Sequence, residues 1–341
     1  MNRKPLVAVL GTGVAVLLGV ALTATAVHTE ESTGAPPPGT PTMTAQEFNK
    51  MYKEVSNWGR WGKDDRNGTM NLITDEKRKQ AARLVKNGIS VSITHTLSTE
   101  KAPDNPYPFE LKMGEVPRVD TWAIRYHGTF VTHFDALCHF EYNGMLYNGV
   151  PFSASNDKGC AIGVEHFKNG VITRGILVDI PRLKGVPYLE PATTVSIAEI
   201  EAWEKKVGVK IGPGDAVILR TGRWTRREKL GPWKSAGNAA GFHPTVARFL
   251  RQRDVALVGA DGTAEAQTTP SVIQGVSQLV GNQPLHTTLI SSMGMPLIDD
   301  MDPEALAEMC AKLNRWDFMF IVLPIPVPGG TGGPVNAVAM F

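Results

Sequence analysis

Two hydrophobic periods alternate along this chain after about Thr44, one helical and one strand-like. In AQEFNKMYKEV the apolar Phe48, Met51 and Tyr52 recur at helical spacing, which predicts a helix there. A second helix follows Thr74 through DEKRKQAARLVKN, with acids in its first turn and Gly88 as its stop. Residues 89–97, 121–127 and 129–135 alternate like half-buried strands, while residues 175–180 and 216–222 read as fully buried ones. Between the last two, Ser196 and Glu199 form a capping box for the amphipathic helix SIAEIEAWEKKVG. His243 and Pro244 open another helix, VARFLRQR, leading into the strand VALVGAD that ends at Asp261, and FMFIVLPIPVP supplies an apolar strand near the end. Strands alternating with helices predict an α/β architecture.

The stretches between these elements are also informative. The charged, proline-rich residues 99–117 read as a long loop and a candidate lid. The closing GGTGGPVN lacks the Gly-Lys-Ser/Thr of a phosphate loop and is expected to form a tight turn. Residues 1–27 combine Arg3 and Lys4, an apolar run and Ala24-Thr25-Ala26, the pattern of an export signal cleaved after about Ala26. An uncleaved anchor is the alternative, because residues 6–27 are about long enough to cross a bilayer. Residues 28–43, with Pro36, Pro37, Pro38 and Pro41, should be a disordered tether, leaving residues 44–341 as one folded domain.

Composition narrows the partners. Arg3 and Lys4 account for the whole formal charge of +2, so the rest is neutral and nothing favours nucleic acid or a membrane surface. The 3 cysteines, Cys138, Cys160 and Cys310, allow at most one internal disulfide. Cys138 reads most simply as a small buried residue.

The densest chemistry lies in HGTFVTHFDALCHFEYNGMLY, residues 127–147. On an extended segment His133 and Asp135 share a face and could hold one cation between a nitrogen and an oxygen. If that strand ends near Ala136, His139 is free to swing over the metal as a proton-transferring base. Trp58 and Trp61, on a glycine-punctuated loop, either wall a pocket for a flat substrate or plug the edge of the core. His243 either starts its helix or lines the pocket.

The run Thr132-His133-Phe134-Asp135-Ala136-Leu137-Cys138-His139-Phe140 resembles the second half of the motif His-x-Gly-Thr-His-x-Asp-x-Pro-x-His-Phe of the cyclase family of metal-dependent hydrolases, which includes kynurenine formamidase (an arylformamidase) and isatin hydrolase. NWGRWGKDDRNGTMNLIT, FHPTVARFLRQRDVALVGADG, His286 with PLIDDMDPEALA, and LPIPVPGGTGGPVN are similar to family segments in family order. The resemblance implies a single swivelling β/β/α-type domain with a mixed sheet and surrounding helices. It also implies His286, on a helix, as the third metal ligand beside His133 and Asp135, with His139 as general base and then general acid. Asp299 stands where relatives carry glutamate; one methylene shorter, it either ligates the metal or stands just behind the ligands. Thr129 and Val131 replace the first motif histidine and glycine. Either His127 substitutes through a bulge, or His127 is a strand residue paired with solvent or a backbone carbonyl and the site holds one metal; one divalent cation, zinc or manganese, is expected.

The sequence therefore predicts an exported, metal-dependent hydrolase of an amide, lactam or ester in a small molecule, homo-oligomeric by family analogy. Two alternatives stand beside it. One is a non-catalytic binding protein, suggested by Thr129 and Asp299 at ligand positions; the other is a thiol hydrolase with Cys138 as nucleophile.

Overall fold

The computed structural model describes residues 43–116, 118–267, 273–274 and 283–341, so the expected leader and nearly all of the tether lie outside the described residues. A nine-stranded mixed sheet runs through them. Its strands are Ser90–Ser92 (β1), His133–Asp135 (β2), Val171–Asp179 (β3), Ala216–Arg220 (β4), Leu257–Ala260 (β5), Leu297–Asp299 (β6), Asp317–Val322 (β7), Gly332–Pro334 (β8) and Val338–Met340 (β9). Across the sheet the order is β8-β2-β6-β5-β4-β3-β7-β9-β1. The pairs β3/β4, β4/β5 and β5/β6 are parallel, and the remaining pairs are antiparallel.

This arrangement follows from the sequence pattern. Strands β4 and β5 are buried along their whole length, which is why AVILR and LVGA carry continuous apolar character instead of alternation. Their connections hold helices, as parallel neighbours require. Helix α1 (Ala45–Glu54) starts at a Thr44/Glu47 capping box, and α2 (Asp75–Ala82) at the Thr74 hydroxyl. Helices α3 (Ile180–Lys184), α4 (Ile197–Val207), α5 (Arg223–Leu230) and α6 (Val246–Gln252) follow. The predicted Ser196/Glu199 capping box opens α4, whose buried Trp203 donates its indole N–H to the Leu177 carbonyl at 2.7 Å. Helix α7 begins as an α-turn at Pro284–Thr287 and continues as a π-helix over Thr288–Met293, and α8 spans Glu304–Leu313.

Several expectations need correction. Residues 99–117 are not all loop: Glu110–Met113 pairs with Asp120–Ala123 in an exposed hairpin, so the strand expected at 121–127 starts one residue early and stops at Ala123. The helix after Thr74 ends at Ala82, before the expected stop at Gly88. Strand β1 keeps only three residues of the predicted 89–97, and β7 stops at Val322, before the prolines that cannot donate to a ladder. Met43, assigned to the tether, pairs with Ile273.

The glycine-rich tail is the correction that bears on function. The expected turn is confined to its start, where the Gly330 N–H donates to the Val327 carbonyl at 3.0 Å; Gly332–Pro334 is strand β8, hydrogen-bonded along His133–Asp135. A Cβ on Gly332 would sit 2.1 Å from the Phe134 carbonyl oxygen, so only glycine lets the two backbones approach this closely.

Candidate metal centre

Strand β2 delivers His133 and Asp135 side by side, both buried, as the i, i+2 spacing predicts. The strand ends at Asp135, and a turn closed by the His139 N–H to the Ala136 carbonyl (3.0 Å) brings His139 back over the carboxylate. His139 Nε2 lies 3.9 Å from Asp135 Oδ1, and His133 Nε2 lies 3.5 Å from the same oxygen. Helix α7 supplies His286, whose Nε2 is 3.6 Å from Asp135 Oδ2. Asp299, from β6, accepts from that nitrogen at 3.0 Å. Asp299 therefore does reach the cluster despite its missing methylene, because β6 pairs directly with β2 and sets Asp299 opposite His133.

His127 joins as well, against the expectation of a strand residue facing solvent or a backbone carbonyl. Residues 127–131 bend instead of extending, and the bend places His127 Nδ1 3.1 Å from Asp135 Oδ1. Its ring stacks on His139 with centroids 3.8 Å apart. Thr129, at the motif's first histidine position, turns the other way and donates to the Asp104 carbonyl at 2.9 Å. Asp135 thus stands among four imidazoles, and two donor sets share it: His127, Asp135 and His139, and His133, Asp135 and Asp299.

The outer nitrogens of the histidines are already engaged. His133 Nδ1 donates to the Val131 carbonyl at 2.7 Å, and His127 Nε2 meets the Thr331 hydroxyl at 2.8 Å. His286 Nδ1 is held by Glu265, at 2.8 and 3.0 Å from its two oxygens, and Glu265 also accepts the His286 backbone N–H at 2.8 Å. This leaves the inner nitrogens facing the carboxylates, the arrangement that orients imidazoles toward a cation. Among the described residues, His127 Nδ1, Asp135 Oδ1 and Asp299 Oδ1 are buried without a directed hydrogen bond. A cation among these nitrogens and oxygens would satisfy the two carboxylate oxygens, so the donor set fits a divalent metal.

Electrostatics agree with that fit. Burial alone would raise Asp135, but His139, His133 and His127 hold it well below the usual carboxylate range. Burial would lower His286, yet Glu265 and Asp299 outweigh it and lift the imidazole well above its ordinary value. For His139 burial wins: with Asp135 opposing and the neighbouring histidines assisting, its pKa falls to about 4. His139 is consequently neutral near pH 7 and able to accept a proton. His127 and His139 are about a quarter exposed, whereas the other cluster residues are buried, so the site opens past these two rings.

The remaining sequence candidates also have identifiable contacts. Trp58 packs against Gly149 and donates to the Ser291 carbonyl at 2.7 Å, while Trp61 lies under the Arg60 guanidinium. His243, buried, shares its Nδ1 with the Thr245 hydroxyl at 2.7 Å just before α6. Cys138 is disulfide-bonded to Cys160, so it is neither a simple buried thiol nor a nucleophile, and the thiol-hydrolase alternative falls with it. Glu265 was missed by the sequence reading. Its only signal was an acid shortly after the strand-end Asp261, in a segment already similar to the family.

The family model described as "putative cyclase" matches residues 85–265. Among solved structures, a novel cyclase superposes with a TM-score of 0.74 at 28% identity, covering 84% of this chain and 99% of its own. Isatin hydrolase A from Labrenzia aggregata superposes with a TM-score of 0.52 at 19% identity, covering 76% of this chain and 94% of its own, a likeness of fold. No curated protein sequence matches the chain.

Proposed function

Since this chain belongs to the cyclase family, we propose that it is a metal-dependent hydrolase that attacks the carbonyl of an amide, lactam or ester in a small molecule. The observation that carries this reading is Asp135, buried at the centre of four imidazoles and Asp299, with a neutral His139 at its open side. His133, Asp135 and His286 are the residues that would hold the cation, with Asp299 beside them. A bound divalent cation supplies Lewis acidity toward a carbonyl and lowers the pKa of water to near neutrality. His139 takes the proton from the attacking water and returns it to the leaving nitrogen or oxygen. Glu265 fixes the tautomer and direction of His286.

One cation per chain is our reading, because the rim set includes His139, which must stay free to move a proton. Zinc and manganese both suit the mixed nitrogen and oxygen donors. Asp299, placed within the cluster, weighs against the non-catalytic alternative. Export is supported by the leader pattern and by the Cys138–Cys160 disulfide, which suits an oxidising compartment. Among the described residues no helix is long and apolar enough to cross a membrane. A homo-oligomer is supported by the hairpin of Glu110–Met113 and Asp120–Ala123, where Leu111, Met113 and Trp122 are exposed. The test is hydrolysis of aryl formamides, lactams and lactones by protein stripped of metal and then reloaded from a panel of divalent ions. Failure of every ion to change turnover of any of these substrates would contradict the proposal.

A further inference from the structure

His127 and His133 stand at the two ends of one short segment, and side chains outside the metal cluster hold that segment from behind. Consecutive acids bracket His133. Asp299 shares its donor set, while a carboxylate oxygen of the next residue, Asp300, lies 4.0 Å from its outer Nδ1. Asp300 is buried, with a left-handed φ of 55° that turns the chain at the end of β6. Its backbone is tied on both sides: the N–H donates to the Gly262 carbonyl at 3.0 Å, and the carbonyl accepts the Thr132 hydroxyl at 2.7 Å, directly before His133.

Arg223, the first residue of α5, completes the arrangement. Its buried guanidinium donates to the Asp300 carboxylate, to the Asp261 carbonyl at 3.3 Å and to the Thr129 carbonyl. That last carbonyl belongs to the bend that delivers His127. The helix start is itself fixed, because the buried Asp261 carboxylate accepts the backbone N–H groups of Thr221, Gly222 and Arg223 at 2.9, 2.8 and 3.1 Å. One turn along α5, Arg227 donates to the Asp104 carboxylate at 2.7 Å, and the Asp104 carbonyl takes the Thr129 hydroxyl. Both oxygens of Thr129 are therefore held, directly or through Asp104, by arginines one turn apart on a single helix face.

We infer that Arg223, acting through Asp300 and the Thr129 carbonyl, is a positioning residue for the metal centre, fixing His133 and the His127 bend as one unit against the ends of β5 and β6. The inference rests on the metal reading of the cluster and extends it to groups that touch no cation. A buried ion pair by itself says little about stability or role. Here the direction of the bonds, toward both histidine-bearing ends of one segment, assigns the role. The planar guanidinium suits it, since its rigid fork meets several acceptors at once, which a lysine ammonium on a flexible stem does not. Partners behind a ligand histidine set its orientation and hence its affinity for a cation.

Cobalt(II) titration of the full chain, followed by calorimetry and by the visible absorption of the bound ion, tests the assignment. Arg223→Lys and Thr132→Val should each weaken cobalt binding about 10- to 100-fold and shift its visible bands. Arg220→Lys alters another buried arginine, one that pairs with Asp179 and Glu304, and should lower the melting temperature without moving the affinity. If Arg223→Lys fails to fold, Thr132→Val, which removes a single hydroxyl, decides alone. Parent affinity and spectrum in the folded variants, or an equal loss in Arg220→Lys, would overturn the assignment. A parent chain that binds no cobalt would overturn the metal centre along with it, whereas cobalt binding without turnover of any substrate contradicts the proposed hydrolysis alone.

Discussion

His127 Nδ1 and Asp135 Oδ1 face each other across 3.1 Å without a directed hydrogen bond, although the motif register assigns that place to residue 129. The bend over residues 127–131 supplies an imidazole from two residues earlier, and Thr129 is turned toward Asp104. With the cation held by the deeper residues, His127 acts mainly by stacking on His139. His127→Ala should retain one equivalent of metal and lower turnover up to about tenfold, the worth of one aromatic pair. Elemental analysis beside steady-state rates checks both halves.

His139→Gln removes the proton carrier but none of the deeper ligands. Turnover should fall by about two to four orders of magnitude, while metal affinity changes little. Metal titration of the variant separates loss of the base from loss of the cation.

The Glu265–His286 pair makes cation binding pH-dependent. Glu265 and Asp299 raise the pKa of His286 and so favour its protonated form in the metal-free fold. A cation must displace that proton, so affinity should strengthen as pH rises and weaken as it falls. For the metal-free chain the same group stabilises the fold fully below the ordinary histidine pKa, and this contribution is lost as pH climbs through the raised value. Calorimetry in buffers of different ionisation enthalpy should show proton release for the parent. Glu265→Gln should release less and bind metal about 10- to 100-fold more weakly.

The disulfide joins Cys138, next to His139, to Cys160 across a separation of 22 residues. Closing a loop of that size is worth about 3 kcal/mol through the unfolded chain. A Cys138→Ser/Cys160→Ser double variant should therefore unfold at lower denaturant but still hydrolyse substrate. Complete loss of turnover in a folded variant would restore the thiol to consideration.

Local chemistry made much of this legible in the sequence. The Ser196/Glu199 capping box, the buried strands β3, β4 and β5, and the turn that returns His139 follow from side-chain type and spacing. The remainder depends on contacts across the chain. Glycines carry no side-chain pattern, so the pairing of Gly332–Pro334 with His133–Asp135 leaves no periodic trace. Three cysteines permit several pairings, and spacing cannot choose among them. Whether Asp299 reaches the cluster depends on its register opposite His133, and whether Glu265 matters depends on where α7 lands.

The most direct measurement is the metal content of residues 28–341 by elemental mass spectrometry, beside that of His133→Ala. The account predicts about one equivalent of zinc or manganese in the parent and near-complete loss in the variant. No metal even after reconstitution, or equal content in the two proteins, would contradict it.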